Sequence, residues 1–255
     1  RLVWLLPVAV VYTWLYDAVY VPMQSTMYAL LAFFISSAAF RAFRVRNVEA
    51  TILMPTDDVQ RSVALLDSRN DIAAVIIEPS GASWGQAPLP PGFLQALREA
   101  TARRGVVLIF DEVISGFRFS PGGAQEAFGI TADLCTMAKI VAGGLPGGAL
   151  AGRRDIMEGL DFAATKAAGR ERVAHQGTYN ANPLSATAGV AMLSNIADGK
   201  PQQRAEELAK RFCRGANDVL RKAGVKGCAY TFSSMFHMSI GVDCPEPIDG
   251  WEWQW

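Results

Sequence analysis

Val106-Val107-Leu108-Ile109-Phe110-Asp111-Glu112 decides how this chain folds: five apolar residues in a row, ended by two adjacent acids. A short, unbroken apolar run of this kind is the pattern of a strand buried on both faces. Gly105 stands just before it, where a left-handed helix cap is needed, and Pro91-Gly92 opens a helix whose Phe93, Leu97 and Ala100 share one face. Farther out, residues 72–77 form a second apolar strand closed by Glu78-Pro79, and residues 134–137 a third, shorter one that delivers Lys139.

From Thr56 onward the pattern alternates between helix and strand, which predicts an α/β domain with a largely parallel sheet. Val59, Val63 and Leu66 repeat at helical spacing after Thr56-Asp57-Asp58, a helix start. Residues 184–196 read as an apolar helix. Ala205, Leu208, Phe212, Val219 and Leu220 mark one face of an amphipathic helix that stops at Gly224, and residues 230–242 contain strand-like pieces. In open α/β sheets ligands bind beyond the carboxyl ends of the strands. Glu78, Asp111 and Lys139 all fall at such ends.

With 255 residues and 51% hydrophobic content the chain can bury a full core. Its formal charge is zero, so the basic field that nucleic acid binding requires is absent. Cys135, Cys213, Cys228 and Cys244 show no paired spacing of the zinc or redox type, and His175 and His237 are far apart. The expectation is no metal site, no disulfide framework, and four reduced cysteines that act as buried small hydrophobes on a cytosolic catalytic part.

The first fifty residues differ in character. Residues 2–21 are apolar apart from Thr13 and Asp17, residues 23–40 carry no charge, and Pro22 separates them. Each is close to the roughly 20 residues that cross a bilayer. Arg41, Arg44 and Arg46 follow, as a cytoplasmic exit would favour. The expectation is a membrane hairpin with contact through residues 2–43, against the plainer reading of two buried core helices. Asp17 is the costly residue, at roughly 2.5 to 3.5 kcal/mol in hydrocarbon on insertion scales. With no Met at position 1 and no terminating pattern at Trp251-Glu252-Trp253-Gln254-Trp255, the chain reads as cut or spliced at both ends.

An apolar strand ending in Asp-Glu could also hold the magnesium of a nucleotide triphosphatase, but no Gly-x-x-x-x-Gly-Lys-Ser/Thr or Gly-x-Gly-x-x-Gly accompanies it. An acid and a lysine from neighbouring strands can instead be the two ends of a pyridoxal phosphate site, the acid keeping the pyridine nitrogen protonated and the lysine forming the Schiff base. Taken singly, Asp111 reads as a strand-end turn residue, Lys139 as a solvated lysine, Glu112 as structural, and the glycines of 143–148 as a tight turn.

Five groups of residues carry a specific resemblance. They are Ala74-Val75-Ile76-Ile77-Glu78-Pro79; Leu108-Ile109-Phe110-Asp111-Glu112-Val113; Gly116-Phe117-Arg118; Lys139-Ile140 with Gly144-Leu145-Pro146-Gly147-Gly148; and Gly177-Thr178 with Asn182-Pro183. In order and spacing, the region from about residue 72 to residue 193 resembles a class III, fold type I, pyridoxal-phosphate-dependent aminotransferase, and most of all the glutamate-1-semialdehyde aminomutases and their relatives.

The resemblance implies roles. Lys139 would be the Schiff-base lysine and the base that moves a proton between substrate and cofactor. Asp111 would pair with the pyridine nitrogen, and Val113 would pack on the ring. Ser83 stands where aminomutase-like members often carry an Asn near the cofactor's phenolic oxygen, and Glu78 would touch a ligand or orient its loop. Thr178 resembles a threonine that contacts the cofactor phosphate of the neighbouring subunit, which implies a homodimer.

Nothing before Ile72 resembles the family's phosphate-binding Ser-Gly-Thr-Glu-Ala turn. The expected organisation is therefore two hydrophobic helices over 1–54, an incomplete large domain with helices on both faces of its sheet over 55–200, and the start of a small domain over 201–255. The expected chemistry is pyridoxal-phosphate-dependent amino group transfer through a Lys139 Schiff base, as an aminotransferase between a small-molecule amino donor and a carbonyl acceptor or as an aminomutase. The alternative is a catalytically inactive, membrane-anchored fragment or spliced product with a transporter-like N-terminal segment.

Overall fold

The computed structural model describes residues 51–81, 89–175 and 177–242. The two apolar runs, and Ser83, lie outside the described residues. Among the described residues no helix is long and apolar enough to cross a membrane. The chain divides into two units between Met54 and Pro55, and almost all described residues belong to the second.

Helix α1 (Val59–Asp67) starts where its sequence predicts, because the Asp58 carboxylate accepts the Arg61 amide at 3.0 Å and satisfies one orphan donor of the first turn. Strand β1 (Ala74–Ile77) follows. Helix α2 (Phe93–Arg104) buries Phe93, Leu94, Leu97 and Ala100, and ends at Gly105 with φ 67°, a conformation a side chain would resist. It leads into β2 (Val107–Glu112), then a short helix α3 (Gly123–Phe128) and β3 (Leu134–Ala138).

The sheet order is β1, β2, β3, β4, where β4 is Gly148–Gly152. β1 with β2 and β2 with β3 are parallel, while β3 with β4 is antiparallel. The fourth strand was not foreseen. Its sequence, Gly-Ala-Leu-Ala-Gly, has weak strand propensity, and the backbone ladder to β3 overrides it. A side chain on Gly152 would stand 2.3 Å from the Asp133 carbonyl, so the close approach itself requires glycine.

β2 shows why the central strand holds the fold. Leu108 and Phe110 are fully buried and Glu112 continues the same face, while Val107, Ile109 and Asp111 on the other face are half-buried. At the opposite end of β3, Asp133 accepts three bonds. The Leu108 amide donates at 2.8 Å, Arg98 at 3.0 Å and Arg153 at 3.1 Å. One carboxylate thus ties α2, β2, β3 and the end of β4 together.

After β4 come three short helical turns, of which α4 (Arg154–Met157) and α5 (Phe162–Ala167) are α-helical. Then α6 (Pro183–Ile196) is capped by the Asn182 side chain at the Leu184 amide, and α7 (Lys200–Lys222) follows. An antiparallel pair, β5 (Gly227–Phe232) and β6 (Met235–Ile240), ends the described part. Asn217 of α7 replaces a strand neighbour for Ala229, accepting its N–H and donating to its C=O, both at 2.7 Å.

Cys135 and Cys213 are free and buried. Cys228 is disulfide-bonded, which corrects the expectation of four reduced thiols. Pairing depends on which segments meet in space, and spacing along the chain does not reveal that.

Two measurements test this core. Burial alone would push the Asp133 carboxyl up, but the Leu108 amide, Arg153 and Arg98 more than offset it and hold it below the ordinary 3.8. A depressed carboxyl stabilises the fold fully above its unfolded pKa, and that stabilisation is lost as pH falls through the folded value. Asp133→Asn is expected to cost about 3 kcal/mol in urea unfolding at neutral pH and to flatten the acid limb of the stability profile. Burial, reinforced by the Glu112 carboxylate, pushes the Cys135 thiol up to about 12. Cys135 should therefore resist iodoacetamide in the folded chain and react only after denaturation, as read by peptide mass spectrometry.

Candidate active site

Because β1, β2 and β3 run parallel, their carboxyl ends lie along one edge of the sheet. Glu78 follows the last residue of β1, Asp111 and Glu112 close β2, and Lys139 follows the last residue of β3. The register sets Asp111 opposite Thr136 and Glu112 opposite Met137. The topology therefore brings together three of the side chains that the sequence singles out.

Asp111 is held through Oδ1. Its Oδ1 accepts the Val113 amide at 3.1 Å and the Thr136 hydroxyl at 3.3 Å, while among the described residues Oδ2 accepts nothing. Thr136 escaped sequence reading, although its place is calculable once β2 and β3 are taken as parallel. A carboxylate fixed in this way keeps its second oxygen available to a donor.

Lys139 begins a 3₁₀ turn (Lys139–Ala142) with φ 53°, a left-handed conformation that costs a non-glycine residue roughly 1–2 kcal/mol. Its amine is exposed and forms no ion pair or hydrogen bond among the described residues. The strain persists because the following turn is clamped. Gly143, with φ 63°, lies so close to α6 that a side chain there would stand 2.3 Å from the Ala188 carbonyl, and Gly189 approaches Val141 as closely from the other side. Ser185 of α6 also donates to the Pro146 carbonyl at 2.7 Å. The glycines of 143–148 form the tight turn their sequence predicts, and they admit a helix as well.

Glu78 is engaged by its own turn, accepting the Ser80 hydroxyl at 2.7 and 2.8 Å and the Ser80 amide at 3.1 Å. Val113 is half-buried directly after the acid pair. Thr178 lies in the exposed turn Gly177–Asn180 that leads into α6. Gly116-Phe117-Arg118 belongs to the loop that joins the sheet edge to the C-terminal elements: Gln202 donates to the Phe117 carbonyl at 3.2 Å, Ser233 donates to that of Arg118 at 3.3 Å, and Phe119 packs edge-on to Phe128 and Phe232.

The profile of the class III aminotransferase family matches residues 35–227. The match starts inside the second apolar run and ends in β5, so the resemblance extends beyond residues 72–193 in both directions.

The chain is 41% identical over 176 residues to glutamate-1-semialdehyde 2,1-aminomutase 2 of Brevibacillus brevis, covering 69% of this chain and 39% of that protein. It is 46% identical over 166 residues to glutamate-1-semialdehyde 2,1-aminomutase of Pelodictyon phaeoclathratiforme, covering 64% and 37%. Among solved structures it resembles an omega-transaminase from Sphaerobacter thermophilus with a TM-score of 0.68 at 37% identity, covering 76% of this chain and 43% of that one. The chain thus spans about two fifths of the length of the curated relatives it matches. With the family profile laid over most of its length and three parallel strands presenting the motif residues at one edge, this chain belongs to the class III aminotransferase family.

Proposed function

We propose that this chain carries pyridoxal-phosphate-dependent amino group transfer, moving an amino group from a small-molecule donor to a carbonyl acceptor. The observation that carries the reading is the pairing at one sheet edge of a carboxylate oxygen without a hydrogen bond, Asp111 Oδ2, and an amine without a partner, Lys139 Nζ, among the described residues. These groups fit pyridoxal phosphate, which offers a protonated ring nitrogen at one end and an aldehyde at the opposite end of the ring. When bound, the cofactor supplies an electron sink for the substrate carbon that loses its proton.

Asp111 would keep the ring nitrogen protonated by accepting its N–H at Oδ2, while Val113 N–H and Thr136 Oγ–H hold Oδ1 in place. Val113 would pack on a face of the ring. Lys139 would hold the cofactor through its amine, and Nζ would be the base that takes and returns a proton. Its position on a strained, clamped turn limits the directions in which that amine can travel.

Glu78 shapes the turn entering the segment that contains Ser83, and Ser83 is proposed to approach the cofactor's phenolic oxygen. Thr178 is proposed to serve the cofactor phosphate of a second copy, which makes the working form a homodimer. Its exposed turn supports that reading, since a hydroxyl there is free to meet another chain. A cytoplasmic location suits the catalytic part. Membrane contact through residues 2–43 would be a property of residues outside those described.

The purified chain with added pyridoxal phosphate should develop an absorbance band near the visible edge, and Lys139→Ala should remove it and lower amino transfer by roughly 10³-fold or more. A native chain that shows no band, or a Lys139→Ala variant that keeps it, overturns the proposal.

A further inference from the structure

Glu112 is the other half of the acid pair, and chemistry at the sheet edge has no use for it. It is 2% exposed and no lysine or arginine pairs with it among the described residues. A buried carboxylate survives only when hydrogen bonds offset its desolvation. Here Oε2 accepts the Ala124 amide at 2.6 Å and the Ser115 hydroxyl at 3.3 Å, and Oε1 accepts the Gln125 amide at 3.3 Å and the Cys135 thiol at 3.8 Å.

Two glycines make room for this arrangement. A side chain on Gly123 would stand 2.4 Å from Glu112 Oε2, and one on Gly116 would stand 2.6 Å from the Glu112 carbonyl. Gly116 N–H donates to that carbonyl at 2.9 Å, closing the turn over residues 112–116. The loop is therefore fastened to Glu112 through its backbone and its side chain together.

Both groups that fix Asp111 sit next to this fastening. Val113, whose amide holds Asp111 Oδ1, is the residue after Glu112 inside the closed turn; Thr136, whose hydroxyl shares that oxygen, is the residue after Cys135. We infer that Glu112 is a positioning residue: by anchoring the 112–125 loop and the Cys135 strand position, it sets the two donors that orient Asp111 toward the cofactor ring nitrogen. This rests on the cofactor role proposed above for Asp111, but its structural half can be measured without cofactor.

The test is amide hydrogen exchange by NMR on the full chain, native and Glu112→Gln. The carboxamide keeps the volume but turns an N–H₂ toward donors. The Val113 amide is expected to exchange about tenfold faster relative to the Leu108 amide, which Asp133 holds at the other end of the same strand. Equal acceleration of both amides, or no change at Val113, overturns the inference.

Should Glu112→Gln fail to fold, Ser115→Ala removes a single bond and is expected to accelerate Val113 alone by a smaller factor, with no change again overturning it. A second readout is the cofactor band, expected to weaken and shift in the variant as Asp111 loses its orientation. If the native chain binds no cofactor, the proposed function fails, while the exchange pattern still decides the role of Glu112.

Discussion

The parallel pairing of β2 with strands on both sides is the constraint on which everything else depends. It puts the ends of three strands along one edge, and its register sets Asp111 beside Thr136. Parallel strands need long crossovers between them, and α2 supplies the one between β1 and β2. Asp133 then fastens that crossover to the sheet: one carboxylate serves Arg98 of α2, the Leu108 amide of β2 and Arg153 after β4.

The alternation of a strand explains how two neighbouring acids take opposite tasks. Successive side chains of β2 point to opposite faces, so Asp111 and Glu112 cannot share an environment. Glu112 continues the stripe of Leu108 and Phe110 and is buried with them, while Asp111 lies on the half-buried face. A carboxylate at the end of an apolar stripe is tolerated because backbone amides, a hydroxyl and a thiol surround it. Its neighbour is then oriented by a loop that the buried acid holds still.

Much of the fold was legible because its signals are local. Asp58, Gly105 and Gly224 mark helix boundaries through caps and positive φ, and the apolar runs before Glu78, Asp111 and Lys139 are strands in the structure. β4 was missed because its residues favour no strand and take their conformation from β3. The disulfide at Cys228 was missed because chain separation carries no information about proximity. Thr136 was missed because a threonine inside an apolar run looks like strand filler until its register is known.

The sequence by itself determined the residue types at the site, their order, and the strand ends on which they stand, since turn glycines and apolar periodicity act over a few residues. Tertiary structure alone decided that, among the described residues, one oxygen of Asp111 is held and the other is not, that Lys139 sits on a left-handed turn clamped by α6, and that Glu112 belongs to the core. Those outcomes depend on register and on close backbone approach between segments distant in sequence, such as Gly143 and Ala188, 45 residues apart, where no local preference reaches.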